Sequence, residues 1–284
     1  MNYYVLKNAC VSGHLVAKEL VRLHPLINIS PNKDEILFKD TCSNGQLEVA
    51  KWLIQLYPSD EYISACNDAF HFVCLEGHLE VAKWLVEIYP QINVCDNEKF
   101  AFICGRGQLE VAKWLVDICP SINISANDDY AFKYACMFGH LEVAKWLVES
   151  SSINISAEDE FAFRTACAYG QPEVAKWLIH INPQINISAS DNFAFLGACR
   201  NGDLELVKWL TQLYPSKEYI SACNDAFILA CVNGKLEIAK WLIDSYPSTV
   251  NISASYNSAF EYASLYNHFE ISEWLIQLKQ SINM

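Results

Sequence analysis

Gly77-His78-Leu79-Glu80-Val81-Ala82-Lys83-Trp84-Leu85-Val86 is the stretch on which the reading of this chain turns. It recurs with small edits from one end to the other. Its glycine stands at Gly13, Gly45, Gly77, Gly107, Gly139, Gly170, Gly202 and Gly234, and Asn267 takes the slot at the end. The steps between them are 32, 32, 30, 32, 31, 32, 32 and 33 residues, so nine copies of one unit fill the 284 residues. A fixed period of this size marks a solenoid, in which each repeat buries its apolar faces on its neighbours.

Working outward from that stretch gives the unit, best seen from Ile153 to Pro183. Ile153-Asn154-Ile155-Ser156-Ala157 alternates apolar and polar residues and reads as an extended finger. Glu158-Asp159-Glu160 is a charged turn that can start a helix. In Phe161 through Tyr169 the apolar Ala162, Phe163, Ala166 and Cys167 fall at helical spacing, and Ala and Cys are small enough for close packing. Gly170 ends this inner helix. The second, outer helix opens on Pro172, whose missing N–H is harmless in a first turn, and Pro183 stops it. Its apolar stripe is Val174, Ala175, Trp177, Leu178 and Ile179, with Glu173 and Lys176 on the solvent side. Neither helix is long enough to stand alone. The spacing therefore predicts a mostly α chain: an α-solenoid of about nine stacked helix-turn-helix repeats with finger loops or hairpins, one solenoid over 1–284. Repeat one, about 1–24, and repeat nine, about 251–284, are expected as its caps. Repeat four is two residues short, and the loss is assigned to its finger, because a helix losing two residues would turn its apolar face outward.

The unit resembles the ankyrin repeat along the whole chain. The likeness rests on the two-helix unit of about 32 residues, on the Ala-Cys-x-x-Gly-His step of Ala135 to His140, and on the Leu-Glu-Val-Ala-Lys-Trp-Leu outer helix. The family's Thr-Pro-Leu-His opening is not kept: Asp68-Ala69-Phe70-His71 and Phe161-Ala162-Phe163-Arg164 stand there instead. The Gly-Ala-Asp stretch after the outer helix is replaced by Pro-x-Ile-Asn-Ile-Ser. These departures touch the hydrogen bonds between repeats, not the fold. In wording, Ile-Asn-Ile-Ser with Glu-Val-Ala-Lys-Trp-Leu, the repeats are similar to the ankyrin proteins of giant DNA viruses that infect amoebae. The resemblance implies a non-enzymatic module that binds a partner protein through its concave face, with no cofactor, possible in a viral protein that engages host factors. A structural or self-assembling component, for example of a virus particle, is the alternative.

Composition narrows the function further. A net charge of −13 argues against neutralising phosphates along nucleic acid. Apolar runs of about five residues, cut by Lys and Glu, are too short to cross a bilayer. The first residues lack a basic region followed by an apolar core, so no signal peptide is expected. The expected partner is therefore a protein, neither nucleic acid nor membrane, bound by a monomer in the cytoplasm, host cytoplasm if the chain is viral.

Of twelve cysteines, Cys10, Cys42, Cys74, Cys104, Cys136, Cys167, Cys199 and Cys231 lie three residues before each repeat glycine. Stacked helices sit about 8–10 Å apart, whereas a disulfide needs Cα atoms within about 7 Å. No Cys-x-x-Cys spacing supports zinc. All twelve are accordingly expected as free thiols in a reducing compartment, Cys66, Cys95, Cys119 and Cys223 included. The Asn-x-Ser triplets at Asn28, Asn123, Asn154, Asn186 and Asn251 read as finger residues, not glycosylation sites. The Trp column from Trp52 to Trp274 reads as packing between repeats. The slot after the glycine holds His14, His78, His140 and His268, but also Gln46, Gln108, Gln171, Asp203 and Lys235. A slot that accepts Gln and Lys is no metal ligand. No nucleophile with a base, no paired carboxylates and no phosphate loop stand out, so no catalytic or metal residue is expected.

Positions that vary between copies are the ones free to meet a partner. They carry aromatics in the middle repeats and three of the four arginines. Aromatic plus Arg is the make-up of binding hot spots. The expected partner-binding residues are Phe102, Arg106, Tyr134, Met137, Phe138, Arg164, Tyr169 and Arg200, rimmed by finger acids such as Asp128, Asp129, Asp159, Glu160 and Asp191.

Overall fold

The computed structural model describes residues 3–13, 16–23, 31–56, 62–213, 217–247 and 249–281. His14 and Asn28, read above as repeat features, lie outside them. Among the described residues there are eighteen helices and no strand. In repeats one to four these are α1 (Tyr3–Val11), α2 (Val16–Leu23), α3 (Pro31–Ser43), α4 (Leu47–Leu56), α5 (Tyr62–Leu75), α6 (Leu79–Ile88), α7 (Asn97–Gly105) and α8 (Leu109–Ile118). Repeats five to nine add α9 (Ala126–Met137), α10 (Leu141–Ser150), α11 (Ala157–Ala168), α12 (Pro172–Ile181), α13 (Ala189–Asn201), α14 (Leu204–Leu213), α15 (Lys217–Val232), α16 (Leu236–Ser245), α17 (Ile252–Leu265) and α18 (Phe269–Ser281). The chain forms two compact units, Met1–Ala131 and Phe132–Met284.

Odd-numbered helices are the inner ones; α1, α3, α5, α7, α11, α13, α15 and α17 each pack on their own outer partner. In the first unit α3 packs on α5 and α5 on α7; in the second α11 packs on α13, α13 on α15 and α15 on α17. The core of each unit is built from the same parts. Phe38, Phe100, Phe132, Phe163, Phe195 and Phe227 are fully buried on inner helices, beside the cysteine column. Outer helices contribute triplets such as Val81, Ala82 and Leu85, and Val174, Ala175 and Leu178. Their solvent faces carry Glu–Lys pairs three residues apart, as in Glu80–Lys83 at 2.9 Å and Glu142–Lys145 at 2.7 Å. The tryptophans are half-buried, and Trp84, Trp114, Trp177 and Trp274 lean back on a Phe of the preceding repeat. Trp114 meets Phe70 with ring centroids 6.3 Å apart, and Trp177 meets Phe132 at 6.4 Å.

The fingers are where the sequence reading changes. No hairpin forms among the described residues. The finger Asn turns the chain on itself: Asn93 Oδ1 accepts from Cys95 N, Asn123 Oδ1 from Ser125 N, and Asn186 Oδ1 from Ser188 N, each near 3.2 Å. An amide held this way is withdrawn from any strand ladder. Three non-glycine residues in a row then take the left-handed conformation at Asn127–Asp129, at Glu158–Glu160 and at Ser190–Asn192. Left-handed backbone costs about 1–2 kcal/mol per residue, least for Asn and Asp, so the turns need outside support. Lys133 supplies some of it, donating to Glu158 Oε1 at 2.7 Å from a side chain only 3 % exposed. Ser190 Oγ donates to Asp159 Oδ2 at 2.5 Å. Repeat four lacks this turn. Asp96 instead caps α7, accepting from Glu98 N at 3.1 Å and Lys99 N at 3.0 Å, so the two missing residues come out of the finger while Phe100, Ile103 and Cys104 stay in the core.

Two ladders join the repeats. In the slot three residues before the core Phe, an oxygen-bearing side chain accepts from the finger Asn of the next repeat. Asn67 Oδ1 takes Asn93 N at 3.1 Å and Asn97 Oδ1 takes Asn123 N at 2.9 Å. Glu160 Oε1 takes Asn186 N at 3.3 Å and Asn224 Oδ1 takes Asn251 N at 2.7 Å. In the slot after the glycine, Gln108 Nε2 donates to Leu75 O at 3.1 Å and His268 Nε2 to Val232 O at 3.0 Å. Both side chains lie across the preceding repeat's glycine; a Cβ on Gly77 would stand 2.2 Å from Gln108 Oε1. The variable His/Gln slot is therefore a fastening.

Repeat nine replaces the column residues with a polar pair. Ser264 Oγ and Ser272 Oγ are 3.2 Å apart, and Asn267 takes the glycine's left-handed conformation at φ 61°. It also leaves Leu265 and Phe269 66 % and 67 % exposed.

Candidate functional site

The first unit presents Phe102 and Arg106 on one face of repeat four. They lie four residues apart at the end of α7, and both are exposed. Arg106 pairs with Glu76 of repeat three at 3.6 Å.

The second unit gathers Tyr134, Phe138 and Tyr169. The Tyr134 and Phe138 ring centroids are 6.2 Å apart, and Phe138 meets Tyr169 edge-on at 6.3 Å. Tyr134 and Phe138 are four residues apart across the end of α9, and Tyr169 follows α11 in the next repeat, at Phe138's equivalent position. Phe138 is 49 % and Tyr169 51 % exposed. Met137 beside them is half-buried. The neighbouring Thr165, Ala168 and Gly197 are small and buried: Thr165 turns its hydroxyl back to Phe161 O at 2.8 Å, and Gly197 sits against Ala168.

The remaining arginines take different places. Arg200 is exposed at the end of α13. Arg164 is turned to its own finger, donating to Asp159 O and, at 3.1 Å, to Glu158 O. Its guanidinium lies 5.9 Å from the Phe161 ring and 5.3 Å from that of Phe193. That clamp on a left-handed turn was not legible in the sequence, because the turn itself was not. Phe161 and Phe193 form a second aromatic row at the finger end of the inner helices, and their recurrence just before the Ala-Phe pair was the signal for it.

The expectation of twelve free thiols is corrected. Cys95 and Cys119 are joined in a disulfide, with Cα atoms 5.9 Å apart. The column argument holds for the column: its eight members, with Cys66 and Cys223, are free and buried. Burial pushes the Cys10, Cys66, Cys74 and Cys231 thiols up to about 12 and raises the other column members as well. The bridged pair stands outside the column. Cys95 occupies the finger Ser slot and Cys119 the residue before the stop proline. In repeat six the same two slots hold Ser156 and Asn182, and Asn182 Nδ2 donates to Ser156 Oγ at 3.0 Å. The separations, 24 and 26, differ by the two residues that repeat four lacks. Aligning the repeats, not counting cysteine spacings, would have found the pair.

Among the described residues, no group of three or more His, Cys, Asp or Glu side chains is placed to hold a metal ion. Also among them, no helix is long and apolar enough to cross a membrane.

No match is found among curated proteins. Among solved structures, the crystal structure of the human ASB11 ankyrin repeat domain is similar, at 20 % identity and a TM-score of 0.47, covering 65 % of this chain and 84 % of that one. A family model described as Ankyrin repeats (3 copies) matches residues 38–128, 99–191 and 195–284. With matches over most of its length and paired helices throughout the described residues, the chain belongs to the ankyrin-repeat family.

Proposed function

We propose that this chain is a non-enzymatic scaffold that binds a partner protein through its inner-helix face. The observation that carries this reading is the Tyr134–Phe138–Tyr169 cluster, with Phe138 and Tyr169 half-exposed in mutual contact. Aromatic rings offer large contact area at small entropic cost, and they dominate binding energy where they are anchored. Met137, Arg164 and Arg200 belong to the same proposed surface of the second unit, and Phe102 and Arg106 are proposed as partner-binding residues of the first unit. Ankyrin repeats are in general protein-interaction modules, which fits this assignment. We further propose a viral protein acting on host factors in the cytoplasm; the wording of the repeats is what supports that.

The test is a partner captured by cross-linking in the native cell, purified, and titrated by calorimetry. Tyr134→Ala, Phe138→Ala and Tyr169→Ala should each weaken binding by about 1 kcal/mol or more. Lys145→Ala and Glu142→Ala, on the outer helix, should change it little. If the outer-helix pair proves damaging and the aromatics neutral, the surface is wrongly assigned. Self-assembly is the second reading, favoured by exposed Leu265 and Phe269 on repeat nine; a concentration-dependent oligomer abolished by Phe269→Glu would support it.

A further inference from the structure

We propose that the Cys95–Cys119 bridge is a thiol-exchange site, opened in the folded protein by a dithiol reductant that attacks Cys95. Three features of repeat four carry this. The first is asymmetry of access: Cys95 is an exposed finger residue, whereas Cys119 is 3 % exposed at the end of α8. Exchange needs an in-line approach to the attacked sulfur, so the incoming thiolate reaches Cys95 and Cys119 is the leaving group.

The second is support for that leaving group. Ser121 Oγ lies 3.0 Å from Cys119 Sγ. A bridged sulfur carries no proton, so the hydroxyl is the donor. Its bond strengthens as Cys119 takes up negative charge. Without it, a thiolate at the C-terminal end of a helix faces the unfavourable end of the dipole.

The third is that the fold does not depend on the bridge. Repeat six joins the same two slots by the Asn182–Ser156 hydrogen bond alone. Opening the bridge in repeat four therefore frees the finger without unstacking the repeat. The finger leads directly into Asp96, the cap of α7, and α7 carries Phe102 and leads to Arg106. The redox state of the bridge sets how firmly that helix start is held.

The step balances with a dithiol as the only co-reactant. One of its thiolates forms a sulfur–sulfur bond to Cys95 Sγ. The Cys95–Cys119 bond breaks, and its electron pair leaves on Cys119 Sγ. The second thiolate of the reductant then attacks its own sulfur in the mixed disulfide and releases Cys95. Two protons from the reductant end on the two cysteines; the reductant becomes a disulfide and the protein is reduced by two electrons.

The folded protein, purified without reductant, is mixed with dithiothreitol without denaturant, quenched with an alkylating reagent and read cysteine by cysteine by mass spectrometry. Cys95 and Cys119 should be labelled long before the eight column thiols, whose raised pKa and burial keep them unreactive. Hydrogen exchange should quicken at the Glu98 and Lys99 amides and stay unchanged elsewhere. In Cys119→Ala the lone Cys95 thiolate should attack oxidised glutathione, keeping one half as an adduct on Cys95 and releasing the other as reduced glutathione. Ser121→Ala should slow opening by about threefold to tenfold. The proposal is overturned if Cys119 carries the adduct in Cys95→Ala while Cys95 stays bare in Cys119→Ala. It also fails if both cysteines are already reduced in the purified protein, or if they react no faster than the column. Should Cys119→Ala not fold, the wild-type labelling order decides alone.

Discussion

Gly197 lies inside α13, and helix propensity favours replacing it: alanine in a helix interior is about 1 kcal/mol better than glycine. The structure reverses that sign. A Cβ at Gly197 would stand 2.4 Å from Ala168 Cβ and 2.7 Å from Ala168 Cα. Ordinary carbon contacts begin near about 3.5 Å, so α11 and α13 would have to part by roughly 1 Å. The obstacle is partly backbone, so no side-chain rotation relieves it. Overpacking of this kind costs about 1–3 kcal/mol, occasionally more. Against the propensity gain, Gly197→Ala should lower stability by a net of up to about 2 kcal/mol. The assay is urea unfolding followed by circular dichroism, with hydrogen exchange in α11 and α13 to localise the loss. Ala168→Gly alone should also destabilise, since it loosens a buried helix end. The double variant should recover most of the steric part, giving a coupling of about 1 kcal/mol or more. A Gly197→Ala protein at least as stable as the parent would refute the close approach, as would strictly additive variants.

Two further outcomes are expected. Trp177 is half-buried against Phe132; with roughly 100 Å² withdrawn from water at about 25 cal/mol per Å², Trp177→Ala should cost about 2–3 kcal/mol in chemical unfolding, and a loss below about 0.5 kcal/mol would reopen a ligand-binding role for the column. The buried thiols give a pH signature: Cys74 keeps its proton in the folded chain to about pH 12, against 9.0 when unfolded, so above pH 9 the unfolded state binds fewer protons and stability falls until the folded pKa is reached. Thermal melts from pH 8 to 11 should show this fall, smaller in Cys74→Ala; equal slopes would mean that the column is solvated.

Particular residues show where legibility stopped. The Cys column and the Phe-bearing inner helices followed from period and spacing, because a helix face repeats every 3.6 residues whatever lies beyond it. The aromatic site was partly visible, since Phe138 and Tyr169 stand in slots where the copies differ. Their contact was not, because ring-to-ring distance depends on how far one repeat is displaced from the next. The orientation of Arg164 was not legible: nothing local foretold three left-handed residues, two of whose carbonyls accept from it.

The sequence by itself determined the repeat, its helix pair, its core and the two residues missing from finger four. These are properties of periodicity and chain connectivity, which neighbouring copies reinforce. Only the tertiary structure decided what crosses between segments: the Asn97–Asn123 ladder bond, Gln108 across Gly77, and the bond from Cys95 to Cys119. Each joins residues more than twenty positions apart, where geometry is set by stacking distance and turn conformation and not by local spacing. That is why one slot pair closes as a hydrogen bond in repeat six and as a disulfide in repeat four.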